Sequence, residues 1–274
     1  MTHPLAYMPL STYPEAIADA AILGALHYGA GLGCAVHVMA FAADMPQVYT
    51  PIGDVAFDLQ SLVAGAQKAS AAEAKRLEAL VLGAKGAVSY SYHGSLGAMM
   101  PTAAAEARLY DLVVMPWQQG ALSVQEMAEA VVFGAGRPAV LVPMGAVAAP
   151  LQHLAIAWDD SRVAARALND ALPYLAAGGR ISVLTAGADG QTSAENRAAA
   201  LAAALKLRGY DAAGVGVSAG STGISGALQD AALAQGAGLL AMGGFGHSRL
   251  RDFVLGGATK GILSDLKLPV MLSH

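Results

Sequence analysis

The sequence predicts an α/β protein made of two tandem units with parallel strands and crossover helices. Three observations carry that expectation. Short apolar runs alternate with longer segments of helical spacing along all 274 residues. The order of runs in residues 1–147 recurs in residues 148–274. Each passage also closes on a similar segment, Arg137-Pro138-Ala139-Val140-Leu141-Val142-Pro143 in the first and Leu268-Pro269-Val270-Met271-Leu272 in the second. Strands that alternate with helices need right-handed crossovers, which place helices on both faces of a parallel sheet.

In the second passage, Leu154 to Trp158 is a short apolar strand, and Ser161 to Leu175 spaces Ala, Leu and Val as a helix does. Arg180 to Ala186 is the next strand. Thr192 to Leu207 is an alanine-rich helix closed by Gly209. Ala212 to Val217 is a third strand, Ile224 to Gln235 a helix, Ala237 to Met242 a fourth strand, and Pro269 to Ser273 a fifth. In the first passage, Leu5 to Met8 answers Leu154 to Ala157. Tyr13 to Gly29 is helical, Gly33 to Phe41 a strand, and Asp54 to Leu82 one long helix or two. Ala87 to Tyr92 is a strand and Ala103 to Tyr110 a helix. Leu112 to Pro116 answers Leu239 to Gly243. The two units join near Met144 to Pro150, an uncharged stretch of Gly, Ala and Pro. Ala42 to Phe57, rich in Pro, Tyr and Met, has no counterpart and reads as a surface insertion, with a lid or a protein contact as the alternatives.

The composition is 55% hydrophobic and 13% charged, with a net charge of −4. The run Ala20 to Ala43 carries no formal charge, but its glycines divide it into a helix-like and a strand-like piece, so no membrane span is expected. No basic region precedes an apolar core at the start of the chain, so no signal peptide is expected. The absence of a Lys or Arg run argues against nucleic acid as a partner. A single cysteine, Cys34, excludes an internal disulfide and reads as a buried thiol, in keeping with a cytoplasmic location. Seven scattered histidines form no i, i+4 pair, so no metal set is expected.

The chemistry-bearing motif is Gly243-Gly244-Phe245-Gly246, nine residues, then Gly256-Gly257-Ala258-Thr259. It follows an apolar strand and precedes the short helical segment Ala258 to Leu266. Glycines at such a turn let backbone N–H groups approach an anion, and a helix N-terminus behind them favours phosphate. Asp159-Asp160-Ser161 follows the first strand of the same unit. If those two strands adjoin at the point where the strand order reverses, acid and glycine loop flank one crevice.

These residues resemble the universal stress protein family, whose signature is Gly, two residues, Gly, nine residues, Gly, then Ser or Thr. Here it runs Gly243, Gly246, Gly256, with Gly257 in the hydroxyl position. Asp159 and Ser161 answer the family's acid and serine after the first strand, and Lys267 to Leu272 resembles its last strand. The resemblance implies two five-stranded, flavodoxin- or Rossmann-like sheets in the order 3-2-1-4-5, of the adenine-nucleotide alpha-hydrolase-like kind, paired through their last strands. It implies ATP or ADP, with or without Mg²⁺, as the ligand. Thr185 falls where the family offers backbone atoms to the base. Asp159 would accept from ribose hydroxyls or the adenine amino group. Its alternative is a helix cap, although Asp160 or Ser161 can fill that role.

Gly257 keeps its N–H but lacks the family's hydroxyl. A hydrogen bond to a charged group contributes about 1.5–3 kcal/mol, so binding one to two decades weaker is expected. Thr259 substitutes in part or is an ordinary first-turn threonine. His247 and Arg249 lie in the nine-residue loop; Arg249 is either a phosphate partner or a surface arginine, and His247 has no partner that would make it a base. The first unit lacks the motif: Pro116-Trp117-Gln118-Gln119-Gly120 stands in its place, and proline removes a donor. Aligning Leu5 with Leu154 sets Leu10 opposite Asp159.

The expectation is therefore a regulatory, stress-response protein that binds an adenine nucleotide in its C-terminal unit alone, with no evident nucleophile or base. A slow ATPase or other nucleotide hydrolase, and a ligand-free signalling scaffold, are the alternatives. Association into a homo-oligomer stays open.

Overall fold

In the computed structural model, which describes residues 3–42, 54–94, 102–187, 191–220, 223–244 and 257–274, strands and helices alternate. The first unit contains β1 (Leu5–Ser11), α1 (Asp19–Gly31), β2 (Ala35–Phe41), α2 (Asp54–Leu82), β3 (Val88–His93), α3 (Ala103–Glu106), β4 (Leu112–Trp117), α4 (Leu122–Gly134) and β5 (Ala139–Pro143). The second contains β6 (Leu151–Ala157), α5 (Arg162–Ala171), β7 (Leu175–Gly187), α6 (Gln191–Leu207), β8 (Asp211–Ser218), α7 (Gly223–Ala234), β9 (Leu239–Gly243), α8 (Gly257–Ser264) and β10 (Val270–Ser273).

All of these strands join one sheet in the order β3-β2-β1-β4-β5-β10-β9-β6-β7-β8. Each unit thus has the order 3-2-1-4-5 expected for it, with parallel neighbours. The two units meet where β10 runs antiparallel to β5, pairing Val270 with Leu141, Met271 with Val140 and Leu272 with Ala139. That ladder is symmetric about the Val140–Met271 pair. Carboxyl ends of the strands in the two units therefore point to opposite ends of the sheet. Side chains of successive strand residues face opposite sides. Gly243 lies against α5 while Gly244 approaches Val132 of α4, so helices cover both faces.

The ladders also correct the alignment of the units. β5 and β10 are equivalent with Ala139 matching Val270. Val113 pairs with Ala139 and Leu240 with Val270. Ala6 then pairs with Leu112 as Leu154 does with Leu239. Ala6, not Leu5, is the counterpart of Leu154. Ser11, not Leu10, stands opposite Asp159, and Leu10 stands opposite Trp158.

Two helices, α1 and α4, depart clearly from expectation, while the range expected to hold one helix or two holds one. Helix α1 starts at Asp19 rather than Tyr13, because long-range hydrogen bonds occupy polar groups of residues 12–18. Thr12 Oγ1 donates to Phe41 O at 2.6 Å, Gln118 Oε1 accepts from Ala18 N at 3.0 Å, and Arg76 donates to Ile17 O at 3.1 Å. Asp54 to Leu82 forms one helix. Helix α4 was not anticipated; its buried stripe of Val124, Ala128, Val131 and Val132 packs onto the sheet. The uncharged run from Ala20 becomes α1 and β2, and no helix among the described residues is long and apolar enough to cross a membrane.

Strand centres form the core, with Tyr7, Met8, Leu10, Met115, Leu141, Leu154, Ile156 and Ile181 all fully buried. Cys34 is buried as expected, and burial pushes its thiol up to about 11. One polar network lies under β6 and β7. Arg180 Nε donates to His153 Nδ1 at 3.0 Å, which fixes that nitrogen as an acceptor, so His153 Nε2 carries the proton and donates to Ser182 Oγ at 2.8 Å. Burial, then the Arg180 charge, lowers the His153 pKa.

Contacts between units supplement the β5–β10 ladder. Tyr28 of α1 donates its hydroxyl to Gly238 O at 2.8 Å, and Arg166 of α5 donates to Gly136 O at 2.9 Å. The Gln119 amide donates to Ser264 O. Gly31 sits so close to the connection between units that a β-carbon there would lie 2.9 Å from Ala149 O.

Candidate functional site

In the second unit the strand order reverses between β6 and β9, so the crevice of a doubly wound sheet opens at their carboxyl ends. Asp159 lies two residues beyond the end of β6, and Gly243 is the last residue of β9. The fold therefore brings the acid and the start of the glycine motif to one switch point. Gly246, Gly256, His247 and Arg249 lie outside the described residues.

The β6–α5 turn is built by its own side chains. Ser161 is the N-cap of α5, its Oγ accepting from Ala164 N at 3.1 Å. Asp159 is exposed, and its Oδ1 accepts from Ser161 N at 3.0 Å. Among the described residues Asp159 Oδ2 has no partner. The acid is thus fixed by one oxygen while the other remains able to accept. Ser161 has used its oxygen as an acceptor, and its hydroxyl hydrogen remains a donor. Asp160 takes the left-handed conformation, φ 61°, which lets the chain turn into the helix within four residues. Its Oδ1 accepts from the Trp158 indole at 2.7 Å, and its Oδ2 lies 3.8 Å from Arg197 Nε on α6.

Gly243 has a packing reason to be glycine. A β-carbon there would lie 2.6 Å from Val163 Cγ2, 2.8 Å from the Val163 carbonyl carbon and 2.9 Å from Ala164 N. Two of these are backbone atoms of the first turn of α5, which cannot swing aside. Gly243 thus sets the spacing between β9 and α5. Gly244 spends its N–H on Ser273 O at 2.7 Å, so that amide is not available to an anion. Gly257 is the first residue of α8, where its N–H is one of the first-turn amides without a helical acceptor. Thr259, in the same turn, is buried. Thr185, near the end of β7, is fully buried, and its hydroxyl has no hydrogen-bond partner among the described residues. No group of three or more His, Cys, Asp or Glu among the described residues is placed to hold a metal ion.

The switch point of the first unit, between β1 and β4, differs at each of these positions. Ser11 replaces the acid, and its hydroxyl donates to Tyr13 O. Pro116 replaces Gly243 and is buried. Ile17, from the longer β1–α1 connection, and Met115 and Val124 close around a small apolar cavity. The described residues that line this cavity include no carboxylate, and Pro116 has no N–H to offer.

No family model matches the chain, and no curated protein is similar to it in sequence. Solved structures are similar in fold. A universal stress protein from Archaeoglobus fulgidus DSM 4304 superposes with a TM-score of 0.62 at 16% identity, covering 97% of each chain. A structure assigned to the same family from Pseudomonas aeruginosa UCBPP-PA14 superposes at 0.51 with 14% identity, covering 99% of this chain and 93% of that one. The chain therefore has the universal stress protein fold. Both matches span the two units together, so the likeness extends to the tandem arrangement.

Proposed function

We propose that the chain is a tandem universal stress protein that binds an adenine nucleotide, ATP or ADP, in its C-terminal unit and serves as a regulatory binding protein in the stress response. The observation that carries this reading is the placement of Asp159 beside the end of β9 at the switch point of the second unit. The corresponding positions of the first unit are Ser11 and Pro116. On this reading residues 1–147 form a unit without a nucleotide site, and residues 148–274 form the binding unit.

The available groups fit a nucleotide in a defined way. Asp159 Oδ2 accepts from ribose hydroxyls or a base amine. The first-turn amides of α8, Gly257 included, face the phosphates, aided by the helix dipole. Gly246, Gly256 and Arg249 supply the rest of the cradle. Gly243 contributes through packing, by holding β9 against α5, and Gly244 supplies no phosphate donor. Gly257 in place of a hydroxyl residue weakens the site. Asp159, with one oxygen free of protein partners among the described residues, can also meet a Mg²⁺ carried in with the phosphates. Binding without turnover is preferred because, among the described residues, no side chain at the crevice is held by a base as a nucleophile would be.

Equilibrium dialysis with ADP and ATP tests this. Asp159→Ala is expected to weaken binding about tenfold or more, the loss of a hydrogen bond to a charged group. Gly257→Ser is expected to tighten it. Wild-type protein that binds neither nucleotide at millimolar concentration would refute the reading. Sustained phosphate release abolished by Asp159→Ala would favour a hydrolase instead.

A further inference from the structure

Trp158 stands at the same switch point and has no part in the site as described. Its backbone N–H donates to Leu184 O at 2.8 Å, which carries the β6–β7 ladder one step past the Ala157–Leu184 pair. Trp158 is thereby set beside Thr185, and paired residues of a parallel ladder share a face. The alternation along β6 and β9 places that face on the side of α5, the side that Gly243 meets. The indole is half-buried. Its ring nitrogen is tied to Asp160, whose left-handed backbone sits in the turn, and Asp160 in turn approaches Arg197 from α6. A tryptophan fixed in this way holds one ring plane. Its ladder neighbour Thr185 is fully buried, so Trp158 is the residue of this pair that reaches the surface of the crevice. The first-unit counterpart of Trp158 is Leu10, fully buried and aliphatic.

We propose that Trp158 is the base-recognition residue of the crevice. The planar heteroaromatic base of the ligand lies against the part of the indole that faces the crevice. This rests on the nucleotide reading of the same site. Stacking on an indole depends on ring area and not on phosphate charge. It therefore predicts that a purine nucleotide binds more tightly than a pyrimidine nucleotide, and that free tripolyphosphate gains nothing from Trp158.

The chain has two tryptophans, Trp117 and Trp158, so Trp117→Phe leaves Trp158 as the only indole reporter. Its fluorescence is expected to change on saturation with ADP or adenosine and to stay constant with tripolyphosphate. In the otherwise wild-type chain, equilibrium dialysis of Trp158→Phe and Trp158→Leu provides a readout that does not depend on the Trp117 variant. Phe is expected to keep ADP affinity within about threefold, and Leu to lose about tenfold, with tripolyphosphate affinity equal in both. If ADP binds while Trp158 fluorescence and the Leu variant's affinity are unchanged, the role given to Trp158 is wrong and the nucleotide reading stands. If no nucleotide binds, both fall.

Discussion

Gly243 shows how one residue can satisfy a motif for a reason the motif does not state. Its spacing from Gly246 and Gly256 marks a phosphate loop in the sequence. The structure shows that its missing side chain makes room for the backbone of Val163 and Ala164. Gly243→Ala is therefore expected to lower folding stability by about 1–3 kcal/mol, as overpacking does. Chemical denaturation checks this, and an unchanged midpoint would mean that α5 does not sit where we describe it. The sequence could not reveal this role, because it depends on a helix that reaches Gly243 across the sheet. The position of Asp159 just past the end of β6 was legible because an acid after an apolar strand is a local pattern. The role of Ser161 as the cap was legible only as an alternative, since three adjacent polar residues all qualified. The Trp158–Asp160 bond went unread, because it depends on the left-handed turn at Asp160.

Among the elements, strands with uninterrupted apolar runs, such as β4 and β9, were readable from hydropathy. Strand β6 begins at Leu151, three residues before its apolar run, because His153 is buried within it. A histidine in a strand looks like a boundary until Arg180 and Ser182 are seen to satisfy both ring nitrogens. That network makes the β6–β7 join sensitive to pH. The folded protein holds His153 at a pKa below the ordinary value of about 6.5. The unfolded chain thus binds a proton more readily than the folded one. Stability from this group is complete above about pH 6.5 and declines as pH falls from there through the lower folded value. Melting temperatures measured between pH 7.5 and 5 should fall with acidification, and His153→Gln should reduce that fall. An identical pH profile in the variant would contradict the network. The α1 boundary was misplaced because the apolar residues Ala16, Ile17 and Ala18 run without a break into the helix. Ala18 N and Ile17 O bond to Gln118 and Arg76, which are distant in sequence.

Across the whole molecule, duplication was visible in the paired Pro-initiated closing segments, and the sheet turns that duplication into one continuous layer. The phase between the units was misread by one residue because Leu5 and Leu154 are the same residue type. Only the ladders align Ala6 with Leu154 and set Ser11 opposite Asp159. The correction sharpens the asymmetry between the two crevices. One carries a carboxylate with an open oxygen; the other carries a serine bonded to its own loop and a proline where the backbone would have to donate. The antiparallel β5–β10 join sends the crevices to opposite ends of the sheet, so a ligand in one does not touch the other. Calorimetric titration of the intact chain with ADP tests this asymmetry most directly. The account predicts one site per chain, abolished or strongly weakened by Asp159→Ala and untouched by Ser11→Ala. Two sites per chain, or binding that survives Asp159→Ala and fails with Ser11→Ala, would contradict it.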